Sequence, residues 1–384
     1  MAVLARTNRL LRRVRTVAVL TTTPHAPTVR GRKARAAVVA IVLGFAVTLG
    51  LQIVTGWAVR TDRVPLSDPQ YSDKLKLLRS RPGFAPADGA RPATLLFLGS
   101  SRTFDAIDAG AVGTALERDL GGSVEAFNFA HAGAGPVTTA VYLRRLVKEG
   151  VKPDAVVIEV HPAFLAAQTS SPPETKWLNP IRLRPDELLL VRELGLPADT
   201  PVAHGSRGWL MPWHEYRIQM LDRYAPGLST LRYRLGAGHE TDSHGFVRVP
   251  EVPEDQRARL RELTRKQYAE CWADYRPGGS GSKGLRDSLE TCRASGIRAA
   301  LLITPESTEF RSWYAEPGRA RIAPLVNALA NEFGVPFFDA REWLSDQLIG
   351  DGHHLTGSGA AVFTERLLRE SLGPWLRSLP GGKP

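Results

Sequence analysis

ATLLFLGSSRTFDAID, residues 93–108, is an apolar run that ends in three small residues and then turns polar. A short apolar run closing on small residues is the mark of a buried parallel strand entering a loop. A serine set directly after such a strand projects its hydroxyl from the edge of the sheet. Its backbone N–H lies near a helix start, where it can help hold an oxyanion. Taken alone, Gly99-Ser100-Ser101 reads equally well as a turn of small residues.

The rhythm continues outward from this strand. DAGAVGTALERDLG (108–121) reads as a helix with Asp108 as N-cap and a glycine at its end. VEAFNFAHA (124–132) is a second strand, PVTTAVYLRRLVKEG (136–150) a helix and PDAVVIEVHPAF (153–164) a third strand. Later come a helix (SLETCRASG, 288–296), a strand (IRAALLITP, 297–305), a helix (RIAPLVNALANEFG, 321–334) and a strand (VPFFDA, 335–340). Strands alternating with helices imply an α/β domain whose parallel sheet is covered on both faces, with ligands at the carboxyl ends of the strands. Residues 165–253 break the rhythm with prolines, arginines, Trp177, Trp209 and Trp213. That insertion is read either as a lid or cleft wall over the site or as a structural excursion. Its histidines, His204, His214, His239 and His244, lack metal-ligand spacing, and neither a metal nor a cofactor is expected.

The charge is not spread evenly. Of the formal net +11, nine positive charges fall in residues 1–35, which hold no Asp or Glu, so the rest of the chain carries +2. Nucleic-acid binding loses its main support. Behind this basic tail, residues 36–59 are free of charge, and a helix of that length reaches about 36 Å, enough to cross a hydrocarbon core. The expected layout is a cytoplasmic tail (1–35), a transmembrane helix (36–59), a polar, proline-rich linker (60–92) and an extracytoplasmic domain (93–379), with the bilayer as partner. A cleaved signal peptide is the alternative, although the apolar run exceeds the ~7–15 residues of an h-region. Cys271 and Cys292 flank the segment RPGGSGSKG, read as a turn; they are either a disulfide across a helical hairpin or two buried thiols.

DGHHLTGSGA (351–360) carries an acid three residues ahead of a histidine, a compact way to orient an imidazole. No G-x-S-x-G occurs, so the nucleophile elbow of the α/β-hydrolases is absent. A serine after the first strand and a late Asp-x-x-His together resemble the SGNH (GDSL-type) hydrolase superfamily. The resemblance implies a three-layer α/β/α domain in which Ser101 is the nucleophile, His354 the general base and Asp351 its orienting acid. Ser100 stands where that family has aspartate, and His353 falls at an unconstrained position. For the oxyanion hole the resemblance implies Ser101 with Ala130 or Asn128. The asparagine of the family's third block is missing, Ala163 taking its place, and His161 or Asn128 would have to substitute. Glu306 and Arg311 in TPESTEFRSWY (304–314) are read either as substrate contacts or as an ion pair.

The departures, with the N-terminal anchor, resemble the membrane-anchored branch that includes relatives of the alginate O-acetyltransferases and of the D-alanyl-lipoteichoic acid biosynthesis protein. The expected function is a serine esterase or O-acyltransferase acting on acyl esters of a cell-envelope or exported polysaccharide. The alternative is a non-catalytic accessory protein that assists a membrane acyltransferase. A lipase or thioesterase drawing substrate from the bilayer ranks last, since the insertion holds few long apolar runs.

Overall fold

A computed structural model of the chain describes residues 29–60, 68–84, 91–178, 182–184, 186–197, 211–224 and 241–377. His204, His239, Trp209, the tail before Val29 and parts of the expected linker lie outside the described residues. The chain divides into two units, Met1–Val54 and Thr55–Pro384. Helix α1, Val29–Arg60, contains the one run long and apolar enough to cross a membrane among the described residues, Lys33–Val59, with hydropathy 2.5.

The larger unit is built on five parallel strands: β1 (Ala93–Leu98), β2 (Val124–Asn128), β3 (Ala155–Glu159), β4 (Arg298–Ile303) and β5 (Phe337–Asp339). Their order is β2-β1-β3-β4-β5. Leu96 of β1 faces Phe127 of β2 on one side and Val156 of β3 on the other. The first four strands are mostly apolar and almost wholly buried because helices cover both faces of the sheet, as parallel sheets require. One core carries Leu96, Leu98, Val156, Ile158 and Leu301; the other carries Leu95, Phe97, Val157 and Leu302. The expected three-layer α/β/α arrangement is therefore present. Chain order reverses at β1, between β2 and β3, so the loop after β1 opens at the topological switch point of the sheet.

The segment read as a linker includes helix α2, Pro69–Arg79, which starts where Asp68 accepts a bond from the Tyr71 N–H. Its proline is a helix-starting residue rather than a linker residue. Tyr71, Lys74 and Leu78 of α2 are buried in the domain. Short helix α3 (Ser101–Phe104) follows β1, and helix α4 (Ala109–Leu120) is capped by Asp108 and ends at Gly121.

Helix α5, Pro136–Lys148, has no side-chain cap of its own. Its first turn is closed instead by the buried carboxylate of Glu174, which accepts from the N–H groups of Gly135 (3.1 Å), Val137 (3.0 Å) and Thr138 (2.6 Å). A carboxylate at a helix N-terminus meets both the orphan donors and the positive end of the dipole. The start of the expected insertion is thus an integral part of the core. Further along come α6 (Glu187–Glu193), α7 (Pro212–Tyr224) and α8 (Glu254–Gln267).

The RPGGSGSKG segment is not a turn. Helix α9 runs Gly279–Ser295 and begins inside it. Its glycines permit close approach: a Cβ on Gly281 would lie 2.4 Å from the Phe164 carbonyl oxygen, and one on Gly284 would lie 2.6 Å from the Pro136 carbonyl carbon. Cys271 and Cys292 are both buried free thiols, and burial pushes each thiol up to about 12. Helices α10 (Thr308–Trp313), α11 (Ile322–Phe333) and α12 (Gly357–Leu367) complete the cover.

Candidate active site

Ser101 is the first residue of α3, immediately beyond the carboxyl end of β1. The turn that presents it is fixed by Glu159 at the end of β3, the neighbouring strand. That carboxylate accepts from the Ser100 N–H (2.6 Å), the Ser100 hydroxyl (2.8 Å) and the Thr103 hydroxyl (2.8 Å). Ser100 is also the N-cap of α3, accepting from the Arg102 N–H. An aspartate at position 100 would set a second carboxylate against Glu159, whereas a hydroxyl donates to it.

Behind the turn lies a buried ion-pair network. Arg102, next to Ser101 in the chain, is 1 % exposed and places Nη1 3.0 Å from Glu306 Oε1 and Nη2 2.9 Å from the Thr304 carbonyl. Its Nε lies 4.0 Å from Glu159. Burial raises the Glu306 pKa against the pull of Arg102.

The opposite side of the site comes from the loop before α12. A backbone bridge between Ile349 and Leu355 closes this loop, and Gly352 turns it at φ 109°, a conformation that favours glycine. Asp351 Oδ1 accepts from the N–H groups of His353 (3.1 Å) and His354 (2.9 Å), which aims Oδ2 at His354 Nδ1, 2.7 Å away. His354 Nε2 lies 2.7 Å from Ser101 Oγ. A hydroxyl, an imidazole and a carboxylate thus form one continuous hydrogen-bonded chain.

The electrostatics follow from this placement. Burial would lower the pKa of His354, but the Asp351 charge and hydrogen bond outweigh it and push the imidazole up to about 9. Burial would raise Asp351, yet the His354 charge holds it well below the ordinary carboxylate range. One turn beyond Ser101 sits Asp105, which burial pushes up to about 7 despite the charge on His354. Its N–H donates to the Ser101 carbonyl, and its buried Oδ1 has no partner among the described residues.

His353 turns away from Ser101 into an aromatic wall, packed on Phe310 (4.9 Å between ring centroids), Tyr268 (5.4 Å) and His161 (5.6 Å). Burial and the neighbouring His354 charge lower its pKa well below the ordinary range. Asp351, His353 and His354 bring ligating atoms within 4.8 Å of one another, but both oxygens of Asp351 and both nitrogens of His354 are already bound within the chain.

Five of the expected site residues serve other purposes. The Ala130 N–H is taken by Asn128 Oδ1 (3.1 Å), and Asn128 Nδ2 donates to the carbonyls of Thr103 (2.8 Å) and Ile107 (2.9 Å). Neither is free to meet an oxyanion; they brace α3 instead. His161 is buried, with Nδ1 3.3 Å from Arg102 and Nε2 3.5 Å from the Tyr268 hydroxyl. Glu306 is fully buried and paired with Arg102. Arg311 does not pair with the Glu306 carboxylate: it bonds the Glu306 and Arg341 carbonyls and lies 3.6 Å from Glu342.

The N–H of Ser101 makes no hydrogen bond among the described residues. Further along the loop after β2, the N–H groups of Ala132 and Gly133 are likewise unused, while His131 N–H is bound to the Gly99 carbonyl (2.9 Å). The sequence reading overlooked Glu159, Arg102 and Asp105. A signal for the first was present: a lone carboxylate inside the apolar run AVVIEV.

A family described as "Protein of unknown function (DUF1574)" matches residues 71–176. No curated protein matches the chain. Among solved structures, the chain is similar to TesA at 13% identity and TM-score 0.33, over 71% of this chain and 95% of that one. It is also similar to a lipase/acylhydrolase from Enterococcus faecalis at 12% identity and TM-score 0.31, over 72% and 94% of the two chains. A third is the psychrotrophic esterase EstA from Pseudoalteromonas sp., at 9% identity and TM-score 0.35, over 74% and 100%.

Proposed function

We propose that this chain is a serine-dependent acyl-ester enzyme of the SGNH type, an esterase or O-acyltransferase. The observation that carries the reading is the chain Ser101 Oγ–His354 Nε2–Asp351, with 2.7 Å at each of its two links. Ser101 attacks the acyl carbonyl while His354, as neutral imidazole, takes its proton. Asp351 holds the tautomer in which Nδ1 carries the hydrogen and Nε2 accepts, and it stabilises the imidazolium that forms. The tetrahedral oxyanion is met by the Ser101 N–H and by a second backbone donor from the loop at Ala132 and Gly133, in place of Ala130 and Asn128. His354 then protonates the leaving alcohol, and the acyl-Ser101 ester passes to water or to a sugar hydroxyl.

The apolar run Lys33–Val59 and the basic residues before it support a single-pass anchor with the N-terminus cytoplasmic and this domain outside. An extracytoplasmic acyl-ester enzyme held at a membrane fits a cell-envelope or exported polysaccharide as substrate. One observation favours the accessory reading, in which the chain assists a membrane acyltransferase. Ala163 is buried where an oxyanion-binding asparagine would stand, so that side-chain donor is missing.

Labelling of the full chain by a fluorophosphonate tests the reading. Wild type labels, Ser101→Ala abolishes labelling and His354→Ala reduces it sharply. A folded wild type that neither labels nor hydrolyses a simple acetyl ester overturns the enzyme and leaves the accessory protein. In a labelling enzyme, adding a soluble oligosaccharide separates transfer to sugar from release of free acid.

A further inference from the structure

Lys74 is a cation placed where cations are rarely found. It projects from α2 into the domain, is 2 % exposed and has no carboxylate within ion-pairing distance among the described residues. Its Nζ donates to three backbone carbonyls instead: Asn128 (2.8 Å), Ala130 (2.6 Å) and Gly245 (3.0 Å). It also stands 4.0 Å from the ring centroid of Phe104, the last residue of the nucleophile helix. Burial pulls its pKa well below the ordinary lysine range, against the opposing charge of Asp242. Three acceptors need all three N–H bonds of an ammonium, and a neutral amine has only two.

What the three carbonyls belong to gives the cation its meaning. Asn128 and Ala130 open the loop after β2. The peptide between Ala130 and His131 gives its carbonyl to Lys74 and its N–H to Gly99, the residue that begins the nucleophile turn. Asn128 reaches the other end of that turn through its side chain, bonding the carbonyls of Thr103 and Ile107. The third carbonyl belongs to the 242–247 loop, whose His244 carbonyl accepts from the Asn128 N–H. Lys74 is therefore the point where α2, the loop after β2, the 242–247 loop and α3 are tied together.

We infer that Lys74 is a positioning residue for the proposed acyl transfer: its ammonium fixes the loop after β2 so that unspent backbone N–H groups at Ala132 and Gly133 are held against the nucleophile turn. The inference rests on the Ser101 reading. With the Asn128 and Ala130 carbonyls turned onto Lys74, the peptides of residues 128–131 are held on both sides by hydrogen bonds. Preorganised donors stabilise a developing oxyanion because they need not reorient during the reaction. An uncharged residue at 74 would leave the loop intact in sequence and looser in register.

The experiment is the rate of fluorophosphonate labelling of the full chain, with the end-point stoichiometry read beside it. Stoichiometry counts folded sites; the rate reports their geometry. Lys74→Met, which keeps length and removes charge, is expected to reach wild-type stoichiometry at a rate lower by about 10²-fold, the loss typical of a ~1 Å misplacement. Lys74→Gln, with two N–H donors and no charge, is expected to fall between. A folded variant that labels at the wild-type rate overturns the inference. So does failure of both variants to reach stoichiometric labelling, which would make Lys74 a folding residue. A wild type that never labels fails the Ser101 reading itself and is told apart by that result.

Discussion

Replacing Asp351 with asparagine separates charge from shape at the catalytic base. In the wild type, Oδ1 is held by two backbone N–H groups and Oδ2 accepts from His354 Nδ1 at 2.7 Å. The rise of His354 from an ordinary 6.5 to about 9 corresponds to about 3 kcal/mol in favour of the imidazolium, at about 1.36 kcal/mol per pKa unit. In Asp351→Asn the carbonyl oxygen keeps the two backbone bonds, so the amide NH₂ faces Nδ1. Nδ1 must then accept, the ring hydrogen moves to Nε2, and Nε2 donates to Ser101 instead of taking its proton. Loss of the correct tautomer costs about 10⁴ in rate. The assay is hydrolysis of p-nitrophenyl acetate, or fluorophosphonate labelling, from about pH 5 to about pH 10. Neutral imidazole is the base, so the wild-type rate rises with pH along a limb centred at about 9. The variant is about 10⁴ lower at the top of that limb. A variant within tenfold of wild type, or a wild-type limb centred near 6.5, refutes the reasoning.

Two further outcomes concern stability. His131 is buried between Tyr142 (4.7 Å) and Phe129 (5.0 Å), neither ring nitrogen has a hydrogen bond among the described residues, and burial, aided by the Lys74 charge, lowers its pKa well below 6.5. The unfolded ring binds a proton below about 6.5 and the folded ring does not, so its contribution is present above that pH and is lost as pH falls. His131→Phe should remove about 1.4 kcal/mol per pH unit of acid sensitivity, measured by urea unfolding at two or three pH values below 6.5. An unchanged slope would show that the ring is not buried neutral. Glu174→Ala should cost about 2–4 kcal/mol by the same method, since it strips the first turn of α5 of its charged acceptor. A loss under about 0.5 kcal/mol would mean that another acceptor replaces it.

Which parts of this molecule could be read from its sequence follows from the range of the interactions involved. The strands were legible because each apolar run is bounded by small or polar residues, and α4 because Asp108 and Gly121 mark its ends. The Asp351–His354 unit was legible because its partners lie three residues apart and the loop alone sets their geometry. α2 was not, since its polar composition and proline look like a linker until Tyr71, Lys74 and Leu78 find a core to enter. The start of α9 was hidden for the opposite reason: its glycines mean close packing against Phe164 and Pro136, and only the partner distinguishes that from a turn.

The oxyanion donors show where such reading fails in principle. Ser101, His354 and Asp351 can be matched to roles by side-chain type, but a backbone N–H is donated by every residue type except proline. Ala130 and Asn128 occupy the expected place in the chain and still have no donor to spare, because the loop had to satisfy itself around Lys74. The same bonds explain the distribution of charge. The groups that react, Ser101 and His354, sit at a partly open rim. The groups that shape the turn, Glu159, Arg102 and Glu306, are buried and paired. Breaking one buried pair leaves an uncompensated charge at a cost of about 3–5 kcal/mol, so the turn resists distortion more strongly than solvent-facing side chains could make it do. The nucleophile is therefore held by charges that take no part in the chemistry, and they lie 59 and 204 residues away along the chain from the residues they hold.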